Sequence, residues 1–130
     1  MTNLIKTIDS HQHFWKLDRG DYGWLDTSLG ILYKNYEPSD LKPILSKANI
    51  DTTVLIQAAA TIEETQFMLT LADEHDFIGG VVGWVDLDSH SAVEDITQLA
   101  TNSKFKGIRP MIQDIQDTNW IAKTLSLIHI

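Results

Sequence analysis

Short apolar runs rich in β-branched residues alternate along the chain with segments whose apolar residues recur every three to four positions. Four such runs predict strands: "LIKTIDSH" (4–11), "TTVLIQA" (52–58), "IGGVVGWVDL" (78–87) and "FKGIRPMI" (105–112). The second is apolar on both faces, which is typical of a buried parallel strand.

Helical patterns fill the spaces between these runs. The first predicted helix runs from about Ser39 to Asn49, with Asp40 as its cap, so that Pro43 falls in the first turn, where proline is tolerated. The next two helices each follow a capping box of the form S/T-x-x-E, namely Thr61 with Glu64 and Ser91 with Glu94. The run "TNWIAKTL" (118–125) indicates the start of a fourth helix.

Strands that alternate with helices predict an α/β fold with a parallel sheet and right-handed crossovers. Four units fit either an open doubly wound sheet or part of a barrel. No glycine-rich dinucleotide-binding or Walker sequence follows a strand, which weakens a nucleotide-binding interpretation. In both architectures the chemistry gathers at the carboxyl ends of the strands.

Composition narrows the classes of partner. A chain of 130 residues is expected to form one domain, and its formal charge of −8 excludes nucleic acid and anionic membranes as expected partners. Without cysteine, neither disulfides nor thiolate metal sites form. No apolar run reaches the roughly 20 residues of a membrane span, and no secretory signal opens the sequence. We therefore expect a cytoplasmic protein.

The stretch "IDSHQHFW" contains the first candidate site. Asp9, His11 and His13 alternate along a strand, so their side chains share one face near its carboxyl end. Two neutral imidazoles there can bind one divalent cation or a substrate, with Asp9 as a hydrogen-bond partner for a ring N–H. The alternative is that these histidines only form hydrogen bonds at the strand end.

Single polar or aromatic residues also stand at the ends of the other three strands. Gln57 is the one polar residue in "VLIQAAA" and either lines a site or ties down a neighbouring loop. Arg109 suits a carboxylate or a carbonyl oxygen of a substrate, or else pairs with an acid of the chain. Trp84 is either a core residue or a substrate platform, and the aromatic insertion 14–38 forms either a lid wall or a satellite core.

Four stretches together resemble the amidohydrolase superfamily: "IDSHQHFW", "TVLIQA", "GVVGWVDL" and "KGIRPMIQD". The resemblance covers about residues 5–120. It is closest to the sugar-lactonase branch of amidohydrolase-related family 2, which includes L-fuconolactonase, L-rhamnonolactonase and 2-pyrone-4,6-dicarboxylate lactonase. It implies the N-terminal half of a (β/α)8 TIM barrel, about four βα units, in a hydrolase of sugar-type lactones that serves carbohydrate metabolism.

The resemblance also implies roles for individual residues. His11, His13 and Arg109 match catalytic positions, and Arg109, Gln57 and Trp84 match positions that bind the substrate. The histidine pair would be the metal ligands if one divalent cation, Zn²⁺, is bound; metal-independent members also occur in this branch. Pro110 stands where some relatives have a histidine, which leaves the particular lactone open.

Length is the main departure from the family, because its barrel has eight strands. We expect a truncated chain in which residues 1–124 are the N-terminal part of the barrel domain. We expect 125–130, "LSLIHI", to be a non-native tail derived from a sequencing adapter, the alternative being a natural strand or helix. The aspartate that acts as general base is then expected beyond residue 130, and the fragment alone is expected to be inactive.

Two alternatives to a lactonase stay open. One is another metal-dependent amidohydrolase, which hydrolyses an amide or decarboxylates an acid. The other is a non-catalytic half barrel that binds a partner through its open sheet edge. The sequence does not give the oligomeric state.

Overall fold

The computed structural model describes residues 6–122, which form a parallel sheet covered by helices. The strands, in the sheet order β1-β2-β3-β4, are β1 (Ile8–Gln12), β2 (Thr52–Ile56), β3 (Ile78–Gly83) and β4 (Phe105–Ile108). The crossovers carry the helices α1 (Pro38–Ala48), α2 (Ile62–Glu74) and α3 (Ala92–Leu99). The predicted α/β class and the order of its elements are confirmed.

Two predictions fall partly or wholly on other residues. The proposed tail 125–130, and with it the domain boundary after 124, lies outside the described residues. So do the first two residues of the predicted strand 4–11. Where a fourth helix was predicted, the described part shows a 3-10 turn at Trp120–Ala122. Within residues 6–122 no helix is long and apolar enough to span a membrane.

The main core lies between the sheet and α2. Leu55 on β2, Met68 on α2, and Ile78 and Val81 on β3 are fully inaccessible to solvent and belong to one apolar cluster. Burial of side chains of this size contributes roughly 1.5–3 kcal/mol each. A second cluster, around Trp15, packs the aromatic insertion against the loop that follows β2.

Pairing between neighbouring strands brings their carboxyl ends to one edge of the sheet. Gln12 pairs with Leu55, Ile56 with Val82, and Gly83 with Ile108. The first residues after the four strands are the sequence-predicted candidates His13, Gln57, Trp84 and Arg109. The prediction that these positions gather at one end of the sheet is therefore confirmed.

The start of α1 differs from the prediction. The helix begins at Pro38, with Glu37 as its cap, and Asp40 Oδ2 accepts a hydrogen bond from the backbone N–H of Glu37 at 2.8 Å. Proline at the first helical position fixes a suitable φ and loses no intrahelical bond, which explains the earlier start. Pro43 consequently lies inside the helix and not in its first turn.

The two predicted capping boxes are formed only in part. Thr61 Oγ1 accepts a hydrogen bond from the Glu64 N–H at 3.0 Å, as predicted, but the Glu64 carboxylate accepts from Tyr22 and from another backbone N–H. The Ser91 side chain accepts no cap hydrogen bond, because its backbone (φ −85°, ψ 1°) is not extended as that of a capping residue normally is. Its hydroxyl instead donates to Asp95 at 2.8 Å. The predicted Ser91–Glu94 capping box was therefore wrong.

Candidate active site at the carboxyl ends of the strands

A cavity of about 460 Å³ opens where the carboxyl ends of the strands meet. It is lined by His13, Trp15, Trp24, Gln57, Ala58, Arg109, Met111, Gln113 and Asp114. Three of the five predicted site residues, from the ends of three different strands, thus share one cavity.

His13 is half-buried, and its tautomer follows from one contact. Nδ1 lies 2.9 Å from the carbonyl oxygen of Ile56. A carbonyl can only accept, so Nδ1 carries the hydrogen and the acceptor lone pair lies on Nε2. Burial lowers the pKa of His13; the bond to Ile56 opposes this, while the charges of His11 and Arg109 act in the same direction. The imidazole is therefore neutral near pH 7.

The second imidazole faces the first. The Nε2 atoms of His11 and His13 are 3.1 Å apart, and because Nε2 of His13 is an acceptor, His11 donates. Two nitrogens bound to one tetrahedral zinc ion lie about 3.3 Å apart, so the pair fits two ligand positions of such an ion. Residues 6–122 contain no group of three or more His, Cys, Asp or Glu side chains arranged for a metal.

Asp9 does not have the predicted role. Its Oδ1 accepts the backbone N–H of His11 at 3.1 Å, and no described contact joins it to an imidazole ring. A short side chain next to its own backbone forms such a local bond readily.

Gln57 joins the ends of two strands. Its Nε2 donates to the carbonyl oxygen of Arg109 at 2.8 Å, while Oε1 is buried and has no partner within residues 6–122. The side chain is 0% exposed. The structure thus shows the loop-tying role considered from the sequence, and direct substrate binding by Gln57 stays a prediction.

Arg109 presents a charge to the cavity. Its backbone N–H donates to the carbonyl oxygen of Gly83 at 2.8 Å, which fixes the strand end. The ion pairs found within residues 6–122 involve Lys16 and Arg19, so the predicted alternative of a pairing between Arg109 and an acid does not occur there. The guanidinium is left to meet a ligand.

Trp84 is not brought to the same cavity. It lines an adjoining cavity of about 260 Å³ together with Asp88 and Trp120. The Thr65 hydroxyl accepts its N–H at 2.7 Å and donates to its carbonyl at 2.8 Å, which anchors the start of this loop. The substrate-binding role of Trp84 stays a prediction.

The aromatic insertion takes on both roles considered from the sequence. Trp15 and Tyr22 are buried in the second cluster with Ala58, as a satellite core would be. Trp15 and Trp24 also line the cavity, and Trp24 Nε1 donates to the carbonyl oxygen of Ala58 at 2.7 Å.

Four lining residues were missed: Ala58, and after Arg109 the residues Met111, Gln113 and Asp114. The fourth strand was predicted to reach Ile112, whereas β4 ends at Ile108 and a 3-10 turn follows at Ile112–Asp114. Pro110 was the available signal, because proline lacks the N–H needed to continue a strand.

The sequence of the chain is similar to the sequences of known lactonases. The chain is 44% identical over 114 residues to an L-fucono-1,5-lactonase of Burkholderia ambifaria and 36% identical over 110 residues to one of Burkholderia multivorans. These matches cover 88% and 85% of the chain but 39% and 37% of the relatives. The chain thus spans about two fifths of the length of these relatives. No protein-family model matches it.

The structure of the chain is also similar to solved structures of amidohydrolases. An amidohydrolase from Burkholderia multivorans with bound zinc superposes with a TM-score of 0.85 and 33% identity, over 93% of this chain and 43% of that one. Over most of its length the chain is therefore similar to proteins of the amidohydrolase superfamily. A probable 2-pyrone-4,6-dicarboxylic acid hydrolase from Acinetobacter baumannii, at 18% identity and a TM-score of 0.61, shares the fold.

The predicted amidohydrolase resemblance is thereby confirmed. Four strands that match 43% of a solved amidohydrolase chain agree with the prediction that these units make up about half of that fold. One of these solved relatives contains zinc.

Proposed function

We propose that the whole protein hydrolyses a sugar-type lactone, and that this chain supplies one part of its active site. The similarity to two L-fucono-1,5-lactonases supports this reaction class. The observation that carries the proposal is the cavity itself, in which a neutral imidazole comes together with an arginine that has no acidic partner within residues 6–122.

Lactone hydrolysis needs a group that stabilises negative charge on the carbonyl oxygen as water adds to the ester carbon. The guanidinium of Arg109 supplies fixed N–H donors for that oxygen. Nε2 of His13 accepts from His11 in the structure, and in the proposed reaction a substrate hydroxyl or a water molecule replaces His11 as the donor. Trp15 and Trp24 form an apolar wall against which the ring of the lactone packs. The aspartate that takes the proton from water belongs, in this proposal, to residues beyond 130.

A divalent cation would be held by His11 and His13 through Nε2, and their 3.1 Å separation fits this role. When bound, the cation would supply Lewis-acid polarisation of the substrate carbonyl. The zinc in the related amidohydrolase supports its presence here. Further ligands would come from outside the described residues.

The zinc in that relative also favours the second candidate, a metal-dependent amidohydrolase that acts on an amide or decarboxylates an acid. A tight, fixed zinc content of the whole protein combined with no turnover of lactones would favour this reaction.

A cytoplasmic location of the protein remains a prediction.

The test is hydrolysis of aldonolactones by the whole protein, followed with a pH indicator. Arg109→Met and His13→Gln should each lower kcat/KM by roughly 100-fold or more, since each removes a group that faces the reacting ester. His90→Gln is the control, because His90 is exposed and does not line the cavity. Absence of hydrolysis of every aldonolactone by the wild-type protein contradicts the proposal.

A further inference from the structure

A charged cluster that is partly to fully buried lies behind the wall of the cavity. It comprises Arg19, Asp21, Tyr22 and Glu64 and is called here the Arg19 cluster. Arg19 Nη2 lies 2.6 Å from Asp21 Oδ2 and 3.2 Å from Glu64 Oε2. The Tyr22 hydroxyl donates to Glu64 Oε2 at 2.9 Å and accepts from Arg19 Nε at 3.2 Å. From its sequence pattern Glu64 was predicted to have only a capping role.

Glu64 holds both segments that form the wall. Its Oε1 accepts the backbone N–H of Ala58 at 3.0 Å, and Ala58 lines the cavity just after β2. Its Oε2 accepts a hydrogen bond from the hydroxyl of Tyr22, which lies two residues before Trp24. The indole N–H of Trp24 in turn donates to the carbonyl oxygen of Ala58. A single carboxylate therefore fixes the insertion and the strand end to each other.

The remaining contacts of the cluster tie it to α2. The guanidinium of Arg19 lies over the ring of Phe67, 4.4 Å from its centroid. The Thr61 hydroxyl donates to Asp21 Oδ2 at 2.8 Å. Insertion and helix are thus bonded through charged side chains and not only through apolar packing.

Such a cluster is costly to bury. Glu64 is 0% exposed, and burial raises its pKa although Ala58, Tyr22 and Arg19 all favour the charged form. Apolar side chains would join an insertion to a helix without this desolvation cost. A directional cluster instead fixes one geometry of the wall.

We propose that Glu64 is a positioning residue, which holds Trp24 in place as the substrate-facing wall of the cavity by acting through Tyr22 and Ala58. Glu64 itself is not among the lining residues. The catalytic consequence rests on the proposed lactone hydrolysis. His13 and Arg109 are not members of the Arg19 cluster, so loss of Glu64 weakens substrate binding and leaves the chemical step intact.

Fluorine NMR of the chain labelled with 5-fluorotryptophan tests the positioning directly. The sequence contains four tryptophans, and each resonance is assigned by its Trp→Phe variant. In Glu64→Gln we expect the Trp24 resonance to shift or broaden. The Trp120 resonance should not change, because Trp120 is held by Asp88, outside the cluster.

Glu74→Gln is the matched control, since it removes the same charge from an exposed position of the same helix. It should leave the Trp24 resonance unchanged. A folded Glu64→Gln variant with an unchanged Trp24 resonance overturns the proposal. If Glu64→Gln does not fold, Tyr22→Phe, which removes the hydroxyl between Arg19 and Glu64, is read in the same way.

Kinetics of the whole protein separate positioning from a purely structural role. Glu64→Gln should raise KM about tenfold and keep kcat within about twofold, because the wall contacts ground state and transition state alike. An equal loss of kcat and kcat/KM, or an unchanged KM, contradicts the positioning role. If the wild type hydrolyses no lactone, the proposed function fails, and the Trp24 resonance alone then decides the positioning proposal.

Discussion

At the scale of single residues, the chemistry of His13 is set by its surroundings. The carbonyl of Ile56 fixes the tautomer, and partial burial, aided by the charges of His11 and Arg109, lowers the pKa. The residue type and its place after a strand could be predicted from the sequence, because the alternation of a strand fixes which side chains share a face. The tautomer could not, because Ile56 is 43 residues away.

The lowered pKa of His13 predicts a particular dependence of stability on pH. The unfolded chain has the ordinary value of 6.5, so between 6.5 and the lower folded value the unfolded state binds more protons. The free energy of unfolding should therefore fall as the pH falls below about 6.5. The His13→Gln variant should lack the part of this decrease in the free energy of unfolding that comes from His13. Urea unfolding of both proteins at about pH 7.5 and 5.5 measures it.

Other groups do not obscure this comparison. The raised pKa of Glu64 acts in the opposite direction, but it is present in both proteins and cancels in their difference. His90→Gln replaces an exposed histidine and should retain the wild-type pH dependence. A His13→Gln variant that loses stability on acidification as steeply as the wild type contradicts the assignment.

At the scale of elements, periodicity predicted the three helices and four strands, because burial of one helix face or of both strand faces marks the sequence directly. Their ends were predicted less well. The capping pattern covers four residues, whereas the Glu64 carboxylate accepts from Tyr22, 42 residues away. The backbone of Ser91 is not in the extended form that a side-chain cap needs. A four-residue motif shows neither feature.

The absence of a side chain at Gly83 lets α2 pack closely against the sheet. A Cβ on Gly83 would lie 2.7 Å from Thr65 Oγ1 and closer still to the methyl group of Thr65. Thr65 is 0% exposed and its hydroxyl bonds both backbone groups of Trp84, so it cannot move aside without breaking those bonds. Gly107, on β4, has open space at the same position.

Gly83→Ala should therefore lower the free energy of unfolding by about 1–3 kcal/mol through overpacking. Gly107→Ala is the matched control and should change it by less than about 0.5 kcal/mol. Urea unfolding followed by circular dichroism measures both. Equal stabilities of the two variants would show that α2 adjusts freely and that Gly83 does not set the spacing.

At the scale of the whole molecule, the cavity is built from segments far apart in the chain. Its lining comes from the ends of β1, β2 and β4, from the aromatic insertion, and from the 3-10 turn after β4. The family stretches predicted the strand ends, because each is a short local pattern. The contribution of the turn was missed, since it depends on how Pro110 redirects the chain.

This distribution leads to a prediction for the 130-residue chain alone. Within residues 6–122 the carboxylate lining the cavity is Asp114, and its side chain is exposed to solvent. We expect the whole protein to hydrolyse an aldonolactone and the chain alone to give no turnover above background. A pH-indicator assay at equal concentrations compares them.

Variants of the chain alone decide between the two sources of a base. If the chain hydrolyses the lactone and Asp114→Asn abolishes the reaction, Asp114 activates the water and the described cavity is sufficient. Asp76→Asn, which changes an exposed acid outside the cavity, serves as the control for the loss of one charge. The other outcome is that the chain alone gives no turnover, whereas the whole protein is active and loses its activity in the Arg109→Met variant. The cavity then provides the carbonyl-binding side of the site. The base then belongs to the remainder of the protein, as the coverage of two fifths of the related lactonases leads us to expect.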